Sequence, residues 1–292
     1  MKPDSSVGQP ARAERDDPVE RAHLRDPADR SHTMYRYPVT DELTDLVRRY
    51  WVPVWSVPAG QAVEQHVLQY PCALLVVSTD YARFYGVTAG LSRTTLQGAG
   101  WAVGVLCQPA TGWLLTRRSM ADYRDQSVDL VDLLGDGAPA VVANVRAAMA
   151  ADPHSPAAHQ VAVAALAAVL APCLPVDPEG RLVNDIVAAV EADTGWSSTA
   201  PALDRVARLA AHVGLSERAL QRVVRRRVGL SPKWLIQRHR LHQAAGRLRD
   251  TCSPADLAAL AADLGYADQA HFTRDFRTVT GQTPGEFARR YR

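Results

Sequence analysis

The chain has 292 residues, with 33 Lys and Arg against 31 Asp and Glu, and is 47% hydrophobic. That length suits about two domains of roughly 100–200 residues, and the composition excludes a collagen-like or disordered chain. The longest apolar run, Val161–Ala171, has eleven residues, short of the roughly 18 that a membrane span needs.

The near-neutral total hides an asymmetry. Residues 1–180 carry 15 basic and 20 acidic residues, whereas 181–292 carry 18 and 11. Ser216–Arg249 holds ten basic residues and one acid, Glu217. A basic C-terminal part points to a polyanion, either a membrane surface or nucleic acid. Cys72, Cys107, Cys173 and Cys252 are far apart and form no C-x-x-C pair. A disulfide framework or zinc ribbon is not expected, and a reducing cytoplasm is. No apolar secretion segment is read at the start.

Residues 1–33 mix seven acids, six bases and prolines without apolar periodicity, so they are expected to be a disordered extension, with Met34 the true start. Residues 34–138 are expected to form a small β-rich sheet or barrel. Residues 35–135 hold 12 of the 19 aromatics, and Val67–Ser78, Ala82–Thr88 and Trp101–Leu106 read as short strands. Asp41–Tyr50 reads as an amphipathic helix. Residues 139–171 read as a helical hairpin, Pro139–Ala151 and Pro156–Ala171, and as a candidate dimerisation element. Pro172, Pro175, Pro178 and Gly180 mark a linker over 172–180.

From Arg181 onward the pattern is helical. Leu182, Ile186, Val187 and Val190 share one helix face, and a second helix follows Gly195–Thr199 to about His212. Ser231-Pro232, Ser253-Pro254 and Thr283-Pro284 each place a capping residue before a proline. Thr283 and Glu286 add a capping box.

This region repeats itself. Leu209-Ala-Ala-His-Val-Gly-Leu215 matches Leu260-Ala-Ala-Asp-Leu-Gly-Tyr266, and Leu220, Arg222, Val224, Gly229 and Pro232 match Phe272, Arg274, Phe276, Gly281 and Pro284. The offset grows from 51 to 52 across the turn. Each unit is a helix, a glycine turn and a second helix, the layout of a helix-turn-helix. In the first unit Leu220, Val223 and Val224 face one way, and Arg218, Gln221, Arg222 and Arg225 the other. In the second, Phe272, Phe276 and Val279 oppose Ala270, Thr273, Arg274 and Arg277. Arginine and glutamine suit the edges of guanine and adenine, and Ala or Thr methyls suit thymine. A helix over Pro232–Arg249, with Trp234, Leu241, Ala245 and Leu248 as its seam, spans about 27 Å, near the roughly 34 Å repeat of B-DNA.

With Arg240-Leu-His-Gln-Ala-Ala-Gly, Leu257-Ala-Ala-Leu-Ala-Ala-Asp-Leu-Gly-Tyr-Ala-Asp-Gln-Ala-His-Phe-Thr-Arg-Asp-Phe-Arg277 and Gly281-Gln-Thr-Pro-Gly-Glu-Phe287, residues 181–292 resemble the DNA-binding domain of AraC/XylS-family bacterial transcription regulators. With the β-rich part before it the chain reads as α+β, and the resemblance implies an all-α C-terminal domain of seven helices carrying two helix-turn-helix units joined by a long helix. It implies contacts with double-stranded DNA by Arg218, Gln221 and Arg222, and by Ala270, Thr273 and Arg274. Ala270 departs from the longer polar residue that a base reader there would use. The resemblance further implies a bacterial cytoplasmic regulator, a homodimer, and a sensing domain that binds a small-molecule effector. Tyr50-Trp51-Val-Pro-Val-Trp55 is similar to the opening of an uncharacterised sensor domain.

The alternative is a DNA-modifying or repair enzyme with Cys107 as alkyl acceptor. Cys107 has no His or Lys beside it in Val-Leu-Cys-Gln-Pro, so a core thiol is the better reading and no catalytic residue is assigned. No metal or cofactor is expected: His66 is the one histidine in 35–135, and His239 and His242 read as packing or solvated residues. Gly98–Gly104 reads as a β-turn, not a nucleotide loop. Trp51, Trp55, Trp101 and Trp113 are core residues or candidate walls of an effector pocket.

Overall fold

A computed structural model describes Leu24 and residues 28–193, 203–250 and 257–290. Strands β1 (His32–Tyr37), β2 (Val47–Ser56), β3 (Val63–Val67), β4 (Leu74–Ser78), β5 (Ala82–Tyr85), β6 (Ser92–Leu96) and β7 (Ala99–Cys107) precede helix α1 (Thr111–Thr116). Strand β8 (Ser127–Asp129) and helices α2 (Leu130–Leu134), α3 (Ala138–Met149) and α4 (Pro156–Leu170) follow. Six strands form one antiparallel sheet in the order β1-β2-β7-β4-β5-β8, and β3 pairs with β6 in a separate ladder. Alternation along the strands sets the inner face. Tyr50, Val52 and Val54 of β2, Leu75 and Val77 of β4, and Val103 and Val105 of β7 are buried in one core with Val145, Met149, Leu166 and Leu170 of α3 and α4.

Several expectations change. Asp41–Tyr50 is not a helix: Asp41–Leu43 is a single 3-10 turn, and β2 begins at Val47. The β-branched and aromatic residues from Val47 to Trp55 gain more from pairing on both edges, with β1 and β7. Residues 28–33 are structured, since His32 and Thr33 open β1 and the Leu24 amide donates to the His66 carbonyl. Leu24 itself is 5% exposed. The rest of the 1–33 segment lies outside the described residues. Pro156–Cys173 does reach the length and hydropathy of a membrane span, because the prolines and alanines flanking Val161–Ala171 extend the apolar run. In the fold His159, Ala162, Leu166 and Leu170 are buried against the domain. Gly98, at φ +57°, makes the β6–β7 turn, whereas Gly100 and Gly104 lie within β7. There they stand opposite Trp55 and Trp51, and a Cβ at either glycine would collide with the facing indole.

Among the described residues seven helices follow: α5 (Pro178–Ala192), α6 (Val206–His212), α7 (Glu217–Val228), α8 (Pro232–Asp250), α9 (Leu257–Asp263), α10 (Gln269–Thr280) and α11 (Pro284–Arg290). The linker is shorter than 172–180, because Asp177 caps α5 by accepting from the Gly180 amide. Val183, not Leu182, completes the buried face of α5 with Ile186, Val187 and Val190. Ser253-Pro254, Cys252 and Gly195–Thr199 lie outside the described residues.

Helix α8 docks on the N-terminal domain along one stripe at i, i+4 and i+8. The Trp234 indole donates to the Ala89 carbonyl at 3.1 Å. Arg238 donates to the carbonyls of Ala89 and Gly90. His242 Nε2 donates to the Leu68 carbonyl at 2.8 Å, and its ring meets Tyr70 edge-on. Arg48 of β2 and Glu191 of α5 add an ion pair between the two parts.

Burial, with Arg238, His239 and Arg48 nearby, holds the His242 pKa well below the usual histidine range, against the opposing effect of the Leu68 carbonyl. Below pH about 6.5 the unfolded chain gains a proton at this residue that the folded one refuses. The contribution is complete above that pH and is lost as pH falls. Urea unfolding should show wild type losing more stability than His242→Gln as pH falls from 7 to 5. Identical pH dependence of the two proteins would contradict this.

Candidate nucleic-acid interface

The first unit is α6 and α7 joined by a turn at Gly214, φ +67°. In that turn the Leu215 amide donates to the Ala210 carbonyl and the Gly214 amide to the Ala211 carbonyl. These bonds satisfy carbonyls that the end of α6 leaves open, and only a residue at ease in the left-handed region makes the turn without strain. Ser216 caps α7 by accepting from the Ala219 amide. Glu217 in the first turn and Arg225, Arg226 and Arg227 in the last match the helix dipole. Gly229, at φ +92°, closes α7.

The second unit repeats this bond for bond. Tyr266 donates to Ala261 and Gly265 to Ala262, with Gly265 at φ +73°. Asp268 caps α10 by accepting from the His271 amide, and Gly281 closes it. The second turn has one residue more, between Asp263 and Gln269, than the first between His212 and Glu217. Thr283 and Glu286 form the expected capping box at α11. Phe272 and Phe276 are fully buried, with Val279 packed beside them.

The opposite faces look outward. Arg218, Gln221, Arg222 and Arg225 on α7 are exposed, as are Ala270, Arg274 and Arg277 on α10, with Thr273 half-buried. Every residue of the predicted stripes therefore lies on the side away from its own core. Between the units α8 has 19 residues, a rod of about 28 Å. Its seam keeps the expected Leu241, Ala245 and Leu248 and adds Leu235, Ile236 and Ala244. Leu235 and Ile236 enter the core shared with the first unit, and Leu241, Ala244, Ala245 and Leu248 enter that of the second. Trp234 turns to the N-terminal domain.

The arginines of this region divide into two groups. Arg227 is 3% exposed, bonds Asp177 and Glu179, and lies 4.0 Å from the Trp113 ring centroid. Arg226 pairs with Glu179, Arg247 with Asp263, and Arg240 donates to the Asp204 carbonyl. Despite its partial burial, Asp177 has its pKa held below the usual carboxylate value by bonds from Arg227 and the Gly180 amide. Among the described residues, Arg218, Arg222, Arg225 and Arg274 have neither a carboxylate nor a carbonyl partner for their guanidinium groups. The sequence did not separate these groups. Arg226 and Arg227 sit beside Arg225 in one basic run, and their acids lie some fifty residues earlier.

The four tryptophans do not converge. Trp101 is in the core, Trp51 and Trp55 cover the β7 glycines, and Trp113 lies between Arg117 and Arg227. A groove of about 650 Å³ runs between β5 and α3 and is lined by Tyr81, Arg83, Leu130, Val142 and Arg146 among others, with none of the four. Cys107 is fully buried, and burial pushes its thiol well above the usual range, which is unsuited to an attacking thiolate.

A family model described as a helix-turn-helix domain matches residues 209–290. Over 82 residues the chain is 34% identical to the arabinose operon regulatory proteins of Salmonella typhimurium and Escherichia coli. Residues 209–290 form a helix-turn-helix domain of the AraC/XylS family. That match covers 28% of this chain and 28% and 27% of the two relatives, so the chain spans under a third of the length of the curated relatives it matches. A model described as a domain of unknown function (DUF6597) matches residues 35–129. Among solved structures, a probable AraC family transcriptional regulator from Rhodopseudomonas palustris is 29% identical, covering 38% of this chain and 98% of that one, with a TM-score of 0.32. ToxT from Vibrio cholerae is 11% identical, covering 90% of this chain and 99% of that one, with a TM-score of 0.38.

Within the AraC/XylS domain, the division of arginines makes a stability prediction. Arg227→Met leaves Asp177 and Glu179 short of a partner and should lower unfolding free energy by about 2–4 kcal/mol. Arg222→Ala removes a solvated side chain and should change it by less than about 0.5 kcal/mol. Urea unfolding of both variants checks this, and similar losses would contradict it.

Proposed function

We propose that the protein is a sequence-specific DNA-binding transcription regulator in which α7 and α10 enter successive major grooves of one duplex. The observation that carries this reading is the matched pair of capped helices whose outward faces hold unpaired arginines, while neighbouring arginines are consumed by protein partners. Arg218, Gln221, Arg222 and Arg225 read or grip the first site. Thr273, Arg274 and Arg277 take the second, where Ala270 offers only a methyl group. The protein acts in the cytoplasm, on the nucleoid. A small-molecule effector at the N-terminal domain shifts the population of DNA-competent states. The β5–α3 groove supports an effector site there better than the dispersed tryptophans do.

Dimerisation through α3 and α4 belongs to the same proposal. Helix α4 has no Asp, Glu, Lys or Arg, and Val161 on its outer face is 59% exposed, so a second copy covers an uncharged surface without stranding a charge.

DNA affinity of the full chain tests the first part. Arg222→Ala should cost roughly 1–3 kcal/mol on duplexes that the wild type selects from a random pool, and less on unselected duplex. An equal loss on both makes Arg222 a phosphate contact, and no selection at all contradicts sequence-specific reading. Sedimentation at micromolar concentration should give a dimer that Val161→Arg converts to monomer; a wild-type monomer contradicts the dimer.

A further inference from the structure

One basic feature next to the first reading helix belongs to the other domain. Helix α1 ends at Arg117, a non-glycine residue at φ +53° whose amide donates to the Trp113 carbonyl. That conformation costs a side-chain-bearing residue about 1–2 kcal/mol, and the chain bends there. The Arg118 amide and carbonyl both meet the Thr116 hydroxyl, at 3.2 Å each. Arg117 and Arg118 are both exposed, and among the described residues neither lies within ion-pair distance of a carboxylate.

The turn is fixed to α7 on two sides. The 3-10 turn Met120–Tyr123, capped by Ser119, packs on α7. The Met120 carbonyl lies so close to Gly229 that a Cβ there would come within 2.5 Å of it. Trp113 receives Arg117 at 5.5 Å and Arg227 at 4.0 Å from its ring centroid. The guanidinium of Arg117 is thus within about 10 Å of one on the last turn of α7. Asp177 and Glu179 neutralise Arg226 and Arg227. Among the described residues, Arg225 and Arg118 are left at this end of the helix with no carboxylate within ion-pair distance, and Arg117 beside them lies near enough to Asp177 to help lower its pKa without pairing with it. Arg225 is about one helical turn, roughly 6 Å of rise, from Gly229. Arg118 is two residues, at most about 7 Å, from Met120.

We infer that Arg117 and Arg118 of the N-terminal domain are phosphate contacts that extend the DNA footprint of the first helix-turn-helix unit. The inference rests on the DNA-binding reading above. A duplex backbone fits this ledge because it is a dense, sequence-independent array of anions continuous with the groove that α7 enters. The contact also gives the N-terminal domain a direct share in DNA affinity.

The test uses the full chain, a duplex selected by the wild type, and a random duplex, titrated by fluorescence anisotropy from 50 to 200 mM salt. Arg118→Gln should weaken binding about 3- to 10-fold by the same factor on both duplexes, and flatten the slope of log K against log salt by about 0.9. The Arg117→Gln/Arg118→Gln pair should flatten it by about twice that, and Arg118→Lys should restore the wild-type slope. Because Arg117 also packs on Trp113, Arg118→Gln carries the test where the double variant unfolds. An unchanged slope and affinity for Arg118→Gln overturns the inference while leaving the DNA-binding reading intact. A wild type that binds neither duplex overturns both.

Discussion

A single helix must satisfy three surfaces at once, and the placement of both helix-turn-helix units depends on it. The first half of α8 enters the core shared by the first unit and the N-terminal domain, and its second half enters the core of the second unit. A third stripe, Trp234, Arg238 and His242, faces the loops at Leu68–Tyr70 and Ala89–Gly90. Arg238 is 2% exposed, and its Nε and Nη1 have no partner. Burial lowers its pKa to about 10. Holding a cation there without a carboxylate in ion-pair contact is costly, because desolvation is offset by two carbonyls, the Trp234 ring and the more distant charge of Asp125. The helix is therefore held in place by polar groups that fit only one register, in addition to its apolar seam.

The same economy of charge separates structure from function in this domain. Arg226, Arg227, Arg240 and Arg247 are bound by acids or carbonyls of the chain itself. Arg218, Arg222, Arg225 and Arg274 are left to solvent on the faces opposite the two cores. A basic helix explained only by solubility would not need its neighbouring arginines neutralised so completely. The pattern is that of a surface whose positive charge is aimed rather than spread.

What the sequence made legible was local. The two units were readable from their 51- and 52-residue offsets, because left-handed turns demand glycine at Gly214 and Gly265 and the caps demand Ser216 and Asp268. The outward and inward faces of α7 and α10 followed from the helical period alone. What escaped depends on partners distant in the chain. The glycines of β7 are explained only by the indoles of Trp51 and Trp55 across the strand pair. The β-strand over Val47–Tyr50 won over a helical pattern because β1 and β7 lie on both sides of it. The role of Arg227 required knowing that Asp177, Glu179 and Trp113 converge on it. Composition at any one of these positions carries no trace of the other.

The central claim is that two equivalent faces, separated by the length of α8, read one duplex together. Hydroxyl-radical footprinting and guanine-methylation interference on a selected duplex test it most directly. The account predicts two patches of protection and interference in successive major grooves on one side of the DNA, about 10 base pairs apart. A single patch, or two on opposite sides of the helix, would contradict it.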